Sequence, residues 1–169
     1  MGSFEQMTLF DEYREQQQEQ ILWELYVDGA ARGNPGPAGV GVCLLKNGQE
    51  VFADGFYIGK ATNNQAEYIA LALGLFFYRQ LTTSCDTLLI YSDSELMVKQ
   101  MQGNYKIKNS ILKALSHCIQ EVLASSACSI KHVIRSKNSR ADELANKGID
   151  EKKTLPSAFE SFCPYRQNI

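Results

Sequence analysis

The stretch 24-ELYVDGAARGNPGPAGVGV-42 decides how the chain is read. An apolar strand runs into Asp28, and a Gly/Pro-rich turn follows it at once. A second, Gly-rich strand comes next. A carboxylate at the mouth of a strand can meet a cation while a stiff backbone holds it in place. The same residues also describe a plain hairpin with an incidental Asp, so the rest of the chain has to choose.

The chain has 169 residues, enough for one domain with a real core. It is 44% hydrophobic and 21% charged, the balance of a soluble globular protein. No apolar run reaches the ~20 residues of a membrane span, and the Gln/Glu-rich start lacks the apolar segment of a secretory signal. A cytoplasmic, monomeric protein with no membrane contact is expected. The five cysteines are scattered and never spaced CxxC, which points to reduced structural thiols. Net charge is −2, but it is unevenly spread. Residues 1–24 carry six acids and one Arg, whereas residues 104–141 carry seven Lys/Arg and one acid. That basic half offers a local phosphate-binding surface or an ordinary solvated face.

Around the opening stretch the elements fall into order. Residues 21–59 read as three strands, with 46-KNGQ-49 as an Asn-Gly hairpin signal. Residues 62–81 read as a helix capped by Thr62 or Asn63, with Glu67 in its first turn. The strand 86-DTLLIYSD-93 ends in Asp93, and a Ser-capped helix follows over 94–102. A further helix spans about 109–124, a last strand 127–135, and a last helix carries Asp142 and closes at Gly148. The order β-β-β-α-β-α-α-β-α predicts an α/β fold with a five-stranded mixed sheet. Three strands are antiparallel, and two more are reached by helical crossovers and lie parallel to the first. Strand four beside strand one puts Asp28 and Asp93 at one edge, where open α/β sheets place their sites. Three parts are expected: an arm over 1–20, a domain over 21–149, and a tail over 150–169 that docks on the body or stays loose.

Asp28, Glu67, Asp93 and Asp142 each sit at an element terminus that can face one spot. Hard carboxylate oxygens suit Mg²⁺ or Mn²⁺ rather than zinc. Four such groups repel without a cation. Two divalent ions ~3.5–4 Å apart would relieve the repulsion and clamp an in-line phosphoryl displacement.

At this point the chain resembles type 1 ribonuclease H over about residues 22–149. The motifs that carry the resemblance are 26-YVDGAARGNPGPAG-39, 62-TNNQAEY-68, 91-YSDSELMVKQMQGNYKIKN-109 and 138-NSRADELANK-147. The resemblance implies a ribonuclease H-like fold and cleavage of the RNA strand of RNA–DNA hybrids, leaving 5′-phosphate and 3′-hydroxyl ends. It implies that Asp28 bridges two metals, that Asp142 joins it at the metal activating the water, and that Glu67 and Asp93 complete the metal at the leaving oxygen. Gly29, Asn34, Asn63 and Asn64 resemble groove-reading positions, and Thr62 a DNA-phosphate contact. Glu95 stands where many relatives have Gln. The short link 103-GNYKIKN-109 replaces a basic protrusion, as in the compact subgroup, and Lys106, Lys108 and Lys113 are candidates to restore some grip. His132 lies ten residues and Arg135 seven residues before Asp142. The resemblance implies a mobile assistant to the leaving phosphate before the last Asp. His132 has the spacing of the histidine many members carry but alternates with Ile130 and Ile134 like a sheet residue, whereas Arg135 matches the Arg of the compact subgroup and is favoured. The rival readings are broader cleavage that includes double-stranded RNA, and an inactive hybrid-binding module. Within the arm, Gln6, Met7, Leu9 and Phe10 spell QMTLF, which resembles a bacterial sliding-clamp-binding peptide.

Overall fold

The computed structural model describes residues 21–82 and 86–164. Strands β1 (Leu22–Ala31), β2 (Gly36–Lys46) and β3 (Gln49–Ala61) form an antiparallel meander. Asn47 and Gly48 turn the second hairpin, both with positive φ (49° and 78°), the geometry that favours Asn-Gly. Helix α1 (Asn63–Leu81) then crosses to β4 (Thr87–Ser92). Helices α2 (Glu95–Met101) and α3 (Ser110–Ala124) lead to β5 (Cys128–His132). A 3₁₀ turn (Arg135–Lys137), α4 (Ser139–Glu151) and α5 (Ser157–Phe162) complete the described residues.

The sheet order is β3-β2-β1-β4-β5, with β4 parallel to β1 and β5 parallel to β4. This is the expected five-stranded mixed sheet. One face carries Trp23, Leu25, Val27, Val40, Val42 and Leu44, all buried with the apolar side of α1. On the other face α4 lies directly on the β2 backbone. A Cβ on Gly41 would come within 2.1 Å of the Ala141 carbonyl oxygen, so only glycine admits the helix there.

Several boundaries differ from the sequence reading. β1 does not stop at Asp28; Gly29, Ala30 and Ala31 go on pairing with Val40, Gly39 and Ala38. What ends near Asp28 is the neighbouring strand β4. Glu67 is the fifth residue of α1, past a first turn that holds no acid. Thr62 is the cap, in a reciprocal box with Gln65. β5 ends at His132, which leaves Arg135 in the 3₁₀ turn beyond it. Gly148 does not close α4. It lets the helix touch β3, where a Cβ would meet the Phe56 nitrogen at 2.5 Å. The cap is Lys152, in the left-handed region.

Of the last residues, α5 docks on the body. Phe159 is fully buried and meets Phe76 edge-on at 5.8 Å. The amide of Tyr57 donates to the Lys153 carbonyl at 2.7 Å, which ties the preceding segment to β3. Cys43, Cys118, Cys128 and Cys163 are free thiols. Among the described residues no helix is long and apolar enough to cross a membrane. The QMTLF residues Gln6, Met7, Leu9 and Phe10 lie outside the described residues.

Candidate active site

The parallel pairing of β1 and β4 runs from Leu22↔Thr87 to Tyr26↔Tyr91. Two residues further along each chain come Asp28 and Asp93. Asp28 projects from the sheet face opposite Val27, because side chains alternate along a strand. Gly29 admits the third carboxylate. A Cβ there would sit 2.2 Å from the Glu67 nitrogen, so its absence lets α1 press its N-terminal half onto β1. As a result, Asp28, Glu67 and Asp93 each place a carboxylate oxygen within 4.8 Å of the others.

Among the described residues, no Lys or Arg forms an ion pair with any of these three groups; Arg135, paired with Asp142, acts on Asp28 and Asp93 only from a distance. Burial first, then the negative charges of Asp93 and Asp142, push the Asp28 carboxyl up to about 8, with the Gly29 N–H working weakly the other way. Glu67 is pushed well above the carboxylate range by burial and then by Asp28 and Asp93. Its Oε2 is buried without a hydrogen-bond partner. Buried acceptors are normally satisfied. An unpartnered oxygen beside two more carboxylates calls for a positive partner, and all the donors are hard oxygens suited to Mg²⁺ or Mn²⁺. The residues therefore fit a divalent metal.

Asp142 enters from the first turn of α4. It lies close enough to press on Asp28, but it stands outside the three-carboxylate group. Arg135 Nη2 holds its Oδ1 at 2.6 Å. Arg135 is otherwise 77% exposed, so it can swing toward solvent or substrate. His132 is exposed at the end of β5, opposite Ser92.

The expected substrate positions lie on the neighbouring rim. Asn34 Oδ1 accepts from the Asn63 amide at 3.1 Å, and Asn63 Oδ1 accepts from the Ala31 amide at 3.0 Å. These bonds tie the turn after β1 to the start of α1. Asn34, Asn63 and Asn64 are exposed. Thr62 Oγ1 accepts from the Gln65 amide, which leaves its own proton free to donate. Glu95 is paired with Lys99 at 2.6 Å, and Lys99 lies 5.2 Å from the Tyr105 ring centroid.

Residue-type reasoning passed over Asn138, four positions before Asp142. It is 1% exposed, and its Nδ2 donates both to the Val27 carbonyl and to Asp93 Oδ1, each at 2.9 Å. Its contacts join segments far apart in sequence, which local spacing does not encode.

Comparison with known proteins gives the family. Residues 26–148 match the family model described as "Reverse transcriptase-like". The chain is 41% identical to the Ribonuclease HI of Halobacterium salinarum over 128 residues, 75% of this chain and 63% of that protein. It is 34% identical to the Ribonuclease H of Pseudomonas fluorescens, over 76% of this chain and 90% of that one. The chain belongs to the ribonuclease H family. The crystal structure of LC11-RNase H1 in complex with an RNA/DNA hybrid superposes with a TM-score of 0.67 at 40% identity, over 78% of this chain and 97% of that one. The chain thus spans less than two thirds of the Halobacterium protein but nearly all of the compact ribonuclease H1 fold.

Proposed function

We propose that the protein is a divalent-metal-dependent endoribonuclease that hydrolyses the RNA strand of RNA–DNA hybrids, leaving 5′-phosphate and 3′-hydroxyl ends. The observation that carries this reading is the convergence of Asp28, Glu67 and Asp93 around a buried, unpartnered Glu67 oxygen. The hybrid bound by a relative of 40% identity supports the substrate class. Asp28, Glu67, Asp93 and Asp142 would hold two Mg²⁺ or Mn²⁺ ions. When bound, these would supply Lewis-acid activation of a water and charge neutralisation at the leaving 3′-oxygen.

The chain's own residues do the rest. Asp28 lies between the influence of Asp93 and that of Asp142, as a ligand shared by two ions would. Asn34, Asn63 and Asn64, with the Gly29 backbone, face the wide minor groove of the hybrid, where 2′-hydroxyls distinguish ribose from deoxyribose. The free Thr62 proton suits a DNA phosphate. Glu95 accepts from a 2′-hydroxyl. Arg135 leaves Asp142 and donates to the departing phosphate, a step open to it because an exposed ion pair holds it only weakly. Turnover should fall in Arg135→Ala and persist in His132→Ala; full activity in the Arg135 variant would remove that role.

Catalysis belongs to residues 21–149, with the arm 1–20 and the tail 150–169 as accessory parts of a monomeric, cytoplasmic enzyme. The arm would dock on the bacterial sliding clamp through Gln6, Met7, Leu9 and Phe10, concentrating the enzyme near RNA primers. A peptide of residues 1–15 should bind the clamp, and Leu9→Ala with Phe10→Ala should remove binding without slowing cleavage of short hybrids. The deciding experiment for the main reading is cleavage of hybrid, double-stranded RNA and double-stranded DNA side by side with Mg²⁺ and with Mn²⁺. Metal-dependent cutting of the hybrid is expected. Cutting of double-stranded RNA as well would favour the broader nuclease, and no cutting at all would leave only a hybrid-binding module.

A further inference from the structure

Three of the four carboxylates stand on separate pieces of backbone: Asp28 on β1, Asp93 just after β4, and Asp142 on α4. One buried residue touches all three pieces, two through its side chain and the third through its main-chain carbonyl. Asn138 immediately precedes α4, and its carbonyl accepts from the Asp142 amide at 3.1 Å. Its Nδ2 reaches the carbonyl of Val27, the residue before Asp28, and Oδ1 of Asp93. Both of those atoms are acceptors, so only an NH₂ group fits between them, and the amide has one possible orientation. An Asn in this place would ordinarily cap its helix with the side-chain oxygen. Here no side-chain capping bond forms, and Oδ1 is buried without a partner. Among the described residues, the only other buried side-chain atom without a partner is Glu67 Oε2, in the carboxylate cluster itself. The side chain has given up its local task, at a cost in unsatisfied hydrogen bonding, for a contact with a carboxylate of the cluster.

We propose that Asn138 is a positioning residue that assembles the metal site, locking the Asp93 carboxylate and the β1 backbone beside Asp28 to the start of the helix that carries Asp142. The assignment rests on the metal-site reading above. Donation to one oxygen of Asp93 fixes the plane of that carboxylate, and therefore the direction in which its second oxygen is presented. Without the amide, Asp93 is free to rotate away from its like-charged neighbours, and the site must be reassembled each time an ion binds. Outer partners of this kind typically contribute about 10–100-fold in metal affinity.

The test compares the whole protein with Asn138→Ala and Asn138→Ser. Serine is a good helix cap and can supply the side-chain capping bond that Asn138 does not make, so the second variant removes the amide without weakening the start of α4. Mn²⁺ binding is measured by isothermal titration calorimetry, with thermal unfolding in EDTA to establish that each variant folds. Both variants should bind Mn²⁺ about 10–100-fold more weakly. Their kcat should recover as metal is raised, while KM for the hybrid stays unchanged. Wild-type Mn²⁺ affinity in a cooperatively folded Asn138→Ser protein, with the wild type itself binding and cleaving, overturns this proposal alone. A wild type that neither binds Mn²⁺ nor cleaves hybrid overturns the metal-site reading along with it. If neither variant folds, the wild type decides. Its Asn138 side-chain amide resonances should be protected from exchange and should shift on addition of Mg²⁺. Unshifted resonances overturn the proposal.

Discussion

Strand β4 has an aspartate at each end, Asp86 before Thr87 and Asp93 after Ser92, and the two live in opposite environments. Asp86 is buried among donors: Trp23 Nε1 at 2.9 Å and Thr82 Oγ1 at 3.2 Å both give it hydrogen bonds. Asp93 is gathered with two other carboxylates, and the Asn138 amide donates to it at 2.9 Å. A buried carboxylate that is paired with donors contributes to the fold. One that is buried against its own kind costs stability until something positive arrives. The two ends of one strand thus separate an acid satisfied by the fold from the proposed metal ligands more sharply than burial or residue type can.

The largest effect should come from neutralising the crowded end. Asp28→Asn removes the group on which both Asp93 and Asp142 press. Hybrid cleavage should fall about 10³-fold or more, which is roughly 4 kcal/mol of barrier. The metal-free protein should nevertheless melt higher than wild type, because repulsion has been removed. Steady-state kinetics and thermal unfolding in EDTA check both halves. The change at the other end of the strand should have the reverse pattern. Asp86→Ala strips Trp23 and Thr82 of their acceptor and should cost roughly 3 kcal/mol, with kcat per folded molecule unchanged. Urea unfolding beside the same cleavage assay measures it. If Asp28→Asn destabilised the metal-free protein as Asp86→Ala does, the distinction would collapse.

The same contrast predicts an unusual pH response. The folded protein holds a proton on Asp28 up to about pH 8, and Glu67 is shifted in the same direction. The unfolded chain releases such protons near pH 4. Between these values the native state binds more protons than the unfolded state, so this contribution to stability is full below about pH 4 and is lost as pH rises toward 8. In EDTA the melting temperature should fall across that window by several degrees, since about 1 kcal/mol corresponds to roughly 2–4 °C in a chain of this size. Asp28→Asn should flatten the slope, and so should Mg²⁺ added to the wild type. A melting temperature in EDTA that rises from pH 5 to 8 would contradict the crowding.

Much of this was legible in the sequence. The order of strands and helices gave the sheet topology, since crossover rules leave few choices for a strand reached by a helix. The four acids stood out because each adjoins an element end. The level of Asp28 was harder to read. The Gly/Pro composition after it signals a turn, yet Gly29 to Ala31 continue the strand because β2 offers them partners. Glu67 belongs to the second turn of α1, and only the missing Cβ of Gly29 lets it reach Asp28. That is a contact between distant segments, which no local spacing encodes. Asn138 is hidden for the same reason: its bonds reach back 111 and 45 positions. Arg135 is expected at a strand end; its pairing with Asp142 in this structure follows instead from the 3₁₀ turn that replaces the end of that strand.

The smallest effect tests whether the satisfied end is satisfied piecewise. Thr82 follows the last residue of α1 and reaches Asp86 with its hydroxyl. Thr82→Val keeps the shape and removes that donor, while the Trp23 bond remains. A single bond of this kind contributes about 1 kcal/mol net, so the variant should lose roughly 2–4 °C in melting temperature and cleave hybrid at the wild-type rate. The loss should be the same in EDTA and in Mg²⁺, because Asp86 lies at the opposite end of β4 from the carboxylate cluster. A loss that appeared only with metal would mean that strain at one end of β4 reaches the other, and that the two aspartates are coupled rather than separate.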